Sequence, residues 1–394
     1  MKLVNACLCI YFLLKPYYLS KSGTIQIADF FMVFAFILLM SIKSKQNVIS
    51  NNISKIKPLM IFVCFVLIIN SIYFLIYGTN DFLLSSLQYV FILMGVYVFY
   101  SILGNEKLIL NINKILKINI IIQVIIFLLD LGRDYNGTRY MGTFNDPNQF
   151  GFYILLSFLI IRVIDKNRGD KFFWFYFIIS TFLIIKSAST GMILGLGVYV
   201  ILCVFGNCKK ITKYMNMHTN KIFIICCILF LVISFLLCLY CVDENFKIKV
   251  NTVKNISNLS VIERIKEKIE KIDNNSSTIF EERGLDKILY YPEYCLYGAG
   301  QGNYFRFEDT KYSRIEIHST LPGILFYYGV IPFGVLIYWI YTNLRNLKFS
   351  EYIPYIAIFI ESFTLANQRQ LLLWFMIILA NKYVKKSRGD FDET

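Results

Sequence analysis

The chain has 394 residues, of which 57% are hydrophobic, 17% aromatic and 17% charged, with a formal net charge of +14 at pH 7 and a mean hydropathy of +0.56. A water-soluble domain of this length has no interior large enough for so much apolar side chain, so a soluble globular class is excluded. In a soluble protein the positive balance would point to nucleic acid, but here the cations lie between apolar runs, where membrane topology accounts for them.

Apolar windows of roughly 15–22 residues recur, the length over which a helix crosses about 30 Å of hydrocarbon. In chain order they predict about twelve spans. These lie near Leu3–Leu14, Ile27–Ile42, Leu59–Tyr77, Leu84–Leu103, Ile118–Leu131, Phe150–Ile164, Phe172–Ile185, Gly191–Phe205, Ile222–Val242, Leu321–Tyr341, Ile353–Leu365 and Leu371–Tyr383. The first resembles a signal-peptide core, but Lys15, Pro16 and the two tyrosines after them make a poor cleavage site, so it is read as a span. The expected fold is an all-α polytopic membrane protein. Residues 1–242 hold helices one to nine, 243–320 form a long external loop domain, and 321–394 hold helices ten to twelve and a tail.

Lysines and arginines concentrate in alternate loops, around Lys43 to Lys57, Lys107 to Lys117, Lys166 to Lys171, Lys209 to Lys221, Arg345 to Lys348 and Lys382 to Arg388. With Lys2 these make about 21 on one side, against about 6 opposite at Lys15, Lys21, Arg133, Arg139, Lys186 and Arg369. Both termini are therefore expected in the cytoplasm. The loop Arg133–Asn148, the turn Ser187–Thr190 and the segment from Asp243 to Thr320 then converge on the outer face.

Within that segment, Ser260-Val-Ile-Glu263 has the form of a capping box. Val261, Ile265, Ile269 and Ile272 follow at helical spacing, as in an amphipathic helix lying on the membrane or bundle; a solvated charged helix is the alternative. A second helix is expected over Thr278–Tyr291, ending before Pro292. The cluster Gly298-Ala-Gly300-Gln-Gly302 lacks a preceding nucleotide-fold strand and a following Lys-Ser or Lys-Thr. It is either a tight turn or a turn whose amides also approach a phosphate. Most of the ten cysteines lie in apolar runs, and Cys238-Leu-Tyr-Cys241 closes a span, so they read as small hydrophobes. His218 and His318 stand alone, and neither a metal nor a cofactor is implied.

Polar groups within or beside the spans are candidates for function, since they are costly in hydrocarbon. Arg162 and Lys186 lie close enough to span ends to snorkel, while Asp29 and Glu361 read either as counter-charges to outward-facing arginines or as structural pairs. In GTRYMGTFNDPNQFG, Arg139 precedes a proline turn that opens a helix, with Asn148 placed to cap it. An arginine beside a helix N-terminus suits an anion; an ordinary polar turn is the alternative.

Taken in order, Arg139 with GTFNDPNQFG, Ser187-Ala-Ser-Thr-Gly191 opening a span, Arg283, GAGQGNY, and His318 before LPGILFYYGVIPFG resemble the O-antigen polymerase and O-antigen ligase superfamily. The resemblance covers most of the chain. It implies a metal-independent glycosyltransferase of the GT-C type, acting on undecaprenyl-diphosphate-linked glycans at the outer face of the cytoplasmic membrane. It further implies that Arg139 and Arg283 bind the donor diphosphate and that His318 lies at the acceptor. Asn145, Asn148, Ser187, Gly300, Gly302 and Arg369 are the further substrate-contact candidates. Ser319 follows the histidine where ligases commonly have Asn, and no arginine lies between Ser187 and Gly191. Those departures favour a polymerase joining lipid-linked repeat units, with a ligase as the alternative and a polysaccharide or solute transporter as the rival from another class. Implied partners are the lipid-linked donor and acceptor, membrane lipid, a flippase and a chain-length regulator.

Such chemistry needs no metal. Guanidinium groups stabilise charge developing on a diphosphate leaving group. A histidine with an ordinary pKa of about 6.5 accepts the proton of an attacking hydroxyl at neutral pH.

Overall fold

The computed structural model describes residues 1–20, 24–42, 46–166, 172–206, 281, 283–310 and 315–381. The described chain is predominantly helical. Its elements are α1 (Lys2–Leu14), α2 (Ile27–Ser41), α3 (Gln46–Tyr77), α4 (Asp81–Ile102), α5 (Glu106–Leu128), β1 (Arg133–Tyr135), β2 (Arg139–Gly142), α6 (Pro147–Asp165), α7 (Phe173–Ser187) and α8 (Thr190–Gly206). There follow α9 (Asp286–Tyr290), α10 (Tyr294–Tyr297), α11 (Thr320–Tyr328), α12 (Val330–Leu344), α13 (Phe349–Glu361) and α14 (Leu371–Leu379).

Among the described residues, four helices, Ser54–Tyr77 of α3, α4, α5 and α6, are long and apolar enough to cross a bilayer. The α3 window has a mean hydropathy of 2.8 but is only 28% buried, so its apolar side chains face outward. Ile61, Ile68, Ile72 and Leu75 are exposed there, as are Phe30, Ile37 and Met40 on α2. Water would penalise so large an apolar surface, and hydrocarbon does not. The chain is a membrane-embedded helical protein.

Helix α6 is the inverse case, with 83% of its window buried, and it packs against α5, α7, α8, α13 and α14. Helix α14 is buried throughout. It approaches α4 at Gly95, where an added Cβ would lie 3.0 Å from Leu371 Cγ. Aromatic rings fill the space around it: Phe375 lies 5.1 Å from Phe12 and 4.9 Å from Phe99, and Trp374 lies 5.7 Å from Trp339.

Several boundaries differ from the sequence expectation, each for a local reason. Helix α5 begins at Glu106 rather than near Ile118. Asn105 caps it by accepting from the Leu108 amide at 3.2 Å. Lys117, which reads as a loop residue, pairs with Asp165 and lies 5.3 Å over the Tyr176 ring. The expected span Leu321–Tyr341 is broken at Gly329, whose φ of 80° and ψ of 172° separate α11 from α12. Helix α13 starts four residues before Ile353, where the Glu351 carboxylate accepts from the Lys348 amide at 2.7 Å, and it stops at Glu361. Of the helix expected over Thr278–Tyr291, the described part holds α9, which ends before Pro292. The expected span Ile222–Val242, His218, Cys238, Cys241 and the amphipathic stretch 260–272 lie outside the described residues.

Cross-bundle contacts show which helix ends coincide. At one end Lys15, closing α1, bonds Asp29 of α2 at 2.9 Å; the Tyr18 amide donates to Thr143 O at 3.1 Å; and the Thr320 amide donates to Ser362 O at 2.8 Å. The N-termini of α6, α8, α11 and α14 and the C-termini of α7 and α13 meet there. At the other end Tyr100 donates to Asn343 at 2.5 Å and Lys166 donates to Ser350 O at 3.0 Å.

Candidate functional site

The loop before α6 is a β-hairpin, with Tyr135 opposite Arg139. Asn136 and Gly137, with φ of 52° and 67°, form its turn. An Asn-Gly pair tolerates two positive φ angles in succession, so this turn carries a sequence signal that an unpatterned polar loop lacks. The hairpin returns Arg139 inward, where it is 9% exposed. Its Nε donates to Ser187 O at 3.1 Å and its Nη2 donates to Asn148 Oδ1 at 2.7 Å. The Ser189 hydroxyl donates to the same Asn148 oxygen at 3.0 Å. Ser187 is fully buried, its hydroxyl donating to Ile184 O at 2.7 Å and accepting from the Ser189 amide at 3.3 Å.

Asn148 is not the cap of α6. Asp146 is, accepting from the Asn148 and Gln149 amides at 2.7 and 3.0 Å. Pro147 occupies the first helical position, so the residue before it takes the extended cap conformation, and a carboxylate accepts from both amides at once. That leaves the Asn148 side chain to bridge Arg139 and Ser189. Asn145 faces the outer edge instead: its Oδ1 accepts from Arg133 and its Nδ2 donates to Ser20 O at 2.7 Å.

The second half of the site is built on residues 361–367. Arg283 donates to Thr364 O, and Arg283 O accepts from the His318 amide at 2.8 Å. The Thr320 hydroxyl donates to Leu365 O at 2.8 Å and accepts from the Asn367 amide at 2.8 Å. Asn367 Nδ2 reaches both oxygens of the fully buried Glu361, at 2.9 and 2.8 Å. Arg283 lies within electrostatic reach of that carboxylate, whereas Asp29 serves Lys15 rather than an arginine. The two halves meet at Gly191, where an added Cβ would fall 2.9 Å from Thr364 Cβ and closer still to its hydroxyl. The turn that receives Arg139 and the turn that receives Arg283 are therefore in contact.

His318 is exposed, yet enough protein surrounds it that desolvation lowers its pKa below the ordinary 6.5. Arg283 and Lys287 push the same way, while Glu316 and Asp146 oppose them. Asp146 at the α6 N-terminus is thus within electrostatic reach of the histidine. Lys287, fully buried on α9 and 5.8 Å over the Phe307 ring, is itself pushed down to about 8 by desolvation.

The glycine cluster lies apart from these groups. Ala299 N donates to Phe326 O at 3.0 Å, Gly300 N to Tyr327 O at 2.8 Å and Gln301 N to Asn70 Oδ1 at 2.9 Å. The first two satisfy carbonyls at the end of α11. Gly300 has φ of 68° and presses on Tyr73, where a Cβ would lie 2.7 Å from a ring carbon; Gly302 packs 2.9 Å from the Phe82 amide by the same measure. The geometry is that of a chain-packing turn. Arg306, which no local pattern singles out, holds it: Nη2 donates to Ala299 O and, at 2.9 Å, to Gly300 O. Its guanidinium lies 4.8, 5.2 and 4.7 Å from the rings of Tyr73, Tyr77 and Phe307.

Arg369 binds Glu316, with Nη2 at 2.8 and 3.0 Å from the two carboxylate oxygens. Gln301 and Gln368 donate to the same carboxylate. Arg369 is thus in a charge pair beside the glycine turn rather than with Arg139.

Arg139 on β2, Asn148 on α6, Ser187 at the end of α7, and Arg283 and His318 in irregular segments are brought to one end of the bundle. Asn145 sits at its rim, and Gly300, Gly302 and Arg369 form a neighbouring packed layer. No protein-family model matches the chain, and a search of curated proteins returns no match.

Proposed function

We propose that the chain is a membrane glycosyltransferase that joins undecaprenyl-diphosphate-linked repeat units into a surface polysaccharide. The observation that carries this reading is the junction of the Arg139 and Arg283 turns at Gly191 and Thr364, with His318 held on Arg283 O. Two guanidinium groups and an accessible imidazole at the mouth of a membrane bundle match the demands of transfer from a lipid diphosphate. Lys107, Lys166, Arg345 and Lys348 fall at the opposite end, which supports an outward-facing site.

In the proposed step a hydroxyl oxygen of one glycan bonds to the anomeric carbon of another, and the bond from that carbon to the diphosphate oxygen breaks. The hydroxyl proton passes to the neutral imidazole of His318. The electron pair leaves with the lipid diphosphate, which Arg139 and Arg283 stabilise. A lowered pKa keeps His318 neutral and ready to accept that proton at pH 7.

Purified protein given lipid-diphosphate-linked repeats tests the proposal. Chains longer than one repeat and still on the lipid are expected, with His318→Ala reducing the rate roughly 10²–10⁴-fold. Full-rate extension by His318→Ala would remove the histidine from this role. A product carried on another acceptor would assign a ligase. Solute uptake without extension would assign a transporter.

A further inference from the structure

At the end opposite the candidate site, α6, α7, α8 and α13 enclose a cavity of about 400 Å³. Its volume falls in the range of ligand sites. Its rim is basic: Arg162 and Lys166, at the end of α6, line it, and Lys348 lies near enough to act on Lys166. Arg162 is oriented by the Phe173 ring at 4.8 Å and by the Tyr199 hydroxyl.

Lys166 is placed by a backbone defect. Pro354 lies inside α13 and has no amide hydrogen, so it cannot donate to the carbonyl four residues earlier, that of Ser350. Lys166 Nζ supplies the donor instead, at 3.0 Å from Ser350 O and 3.1 Å from its hydroxyl. Both are neutral acceptors, so these bonds fix the ammonium without cancelling its charge. The carboxylate on the lining, Glu351, accepts from the Lys348 amide at the start of α13 and acts on Lys166 through space, but against Arg162, Lys166 and Lys348 it leaves the rim net positive. The remaining wall is apolar and turned outward, with Trp174, Val200 and Val204 all exposed.

A basic rim above an apolar wall that faces hydrocarbon has the polarity of a phospholipid. We propose that this cavity binds one anionic phospholipid from the leaflet opposite the candidate site, its phosphate at Arg162 and Lys166 and an acyl chain along Trp174 and Val204. A zwitterionic lipid fills the apolar wall equally well but cancels its own phosphate charge, so the rim selects the anionic headgroup. The inference does not depend on the chemistry at the other end.

The full-length protein in neutral detergent, titrated with phosphatidylglycerol or phosphatidylcholine and read by native mass spectrometry, tests it. Wild type is expected to retain phosphatidylglycerol preferentially. Arg162→Gln should weaken retention about fivefold and Arg162→Gln/Lys166→Gln about 25-fold, at roughly one cation's worth of surface attraction each. Glutamine at either position still donates a hydrogen bond. Should the double variant fail to fold, Ser350→Asp decides alone. That exposed position in the first turn of α13 favours an acid, and the new carboxylate should neutralise Lys166 and cost about fivefold. Equal retention by folded variants, or no preference over phosphatidylcholine, overturns the proposal. So does displacement by millimolar inorganic phosphate, which would mark a site for soluble anions.

Discussion

Gly191→Ala perturbs the junction on which the candidate site depends. The new Cβ would sit 2.9 Å from Thr364 Cβ, where carbon atoms rest at about 3.5–4.0 Å. Thr364 must therefore retreat by roughly 0.6–1 Å, and its hydroxyl by more. That hydroxyl cannot swing away freely, because it donates to Glu361 O at 2.8 Å. Overpacking costs about 1–3 kcal/mol, and alanine in a helix recovers about 0.8–1 kcal/mol relative to glycine. The net loss of stability is about 0–2 kcal/mol, a fall of a few degrees in the melting temperature. The effect on transfer is larger, since Thr364 O holds Arg283. A clamp displaced by about 1 Å costs up to 10²-fold in rate. Thr364→Gly removes the clashing atoms and keeps the carbonyl, so Gly191→Ala/Thr364→Gly should recover most of the activity that Gly191→Ala loses. Melting curves and repeat-extension rates for the four proteins of this cycle measure the coupling. A wild-type rate in Gly191→Ala, or an equal loss of rate in the Thr364→Gly background, would refute the reasoning.

The remaining expectations address charge. The extension rate should fall with pH only below about 6.5, because His318 must be neutral to act and its pKa is lowered; a limb at higher pH would contradict that environment. Lys287→Gln removes a cation that disfavours the imidazolium, so the same limb should move to higher pH, as a pH–rate profile would show. Arg139→Lys keeps the charge but cannot span Ser187 O and Asn148 together, so about 10–100-fold of the rate should be lost while melting changes little. Lys15→Met leaves the half-buried Asp29 with the Gln26 amide but without its counter-charge and should cost about 1–3 kcal/mol, and Lys15→Met/Asp29→Leu should recover most of it in thermal denaturation.

The helices were legible because apolar runs are local. Expected Leu3–Leu14 and Ile27–Ile42 stand beside observed Lys2–Leu14 and Ile27–Ser41. The start of α5 is not legible in the sequence because Lys117 looks solvated until Asp165 and Tyr176 arrive from other helices. The break at Gly329 was hidden inside an uninterrupted apolar run, and only the fold supplies its positive φ. At the site, the grouping of Arg139, Asn148 and Ser187 follows from one loop and one turn sharing a face. Asp146 as the cap was readable from Pro147, whose preference for the first helical position points one residue back. The Arg306 cage was not readable, since its rings come from α3, α4 and residues 294–307 and no spacing rule joins them.

Cations among the described residues are held in different ways, and the difference bears on what each does. Lys186 lies 5.2 Å over Phe127 and 5.6 Å over Phe182, covering apolar surface with its stem as a snorkelling residue does. Lys15, Lys117 and Arg369 pair with carboxylates, so a change at any of them first strands a buried or half-buried acid and appears as lost stability. Arg139 donates to Ser187 O and Asn148 Oδ1, and Arg283 donates to Thr364 O. Such acceptors set the direction of a guanidinium, and the turns that provide them touch at Gly191 and Thr364. Rigid turns fix where these charges point, as a clamp for a diphosphate requires.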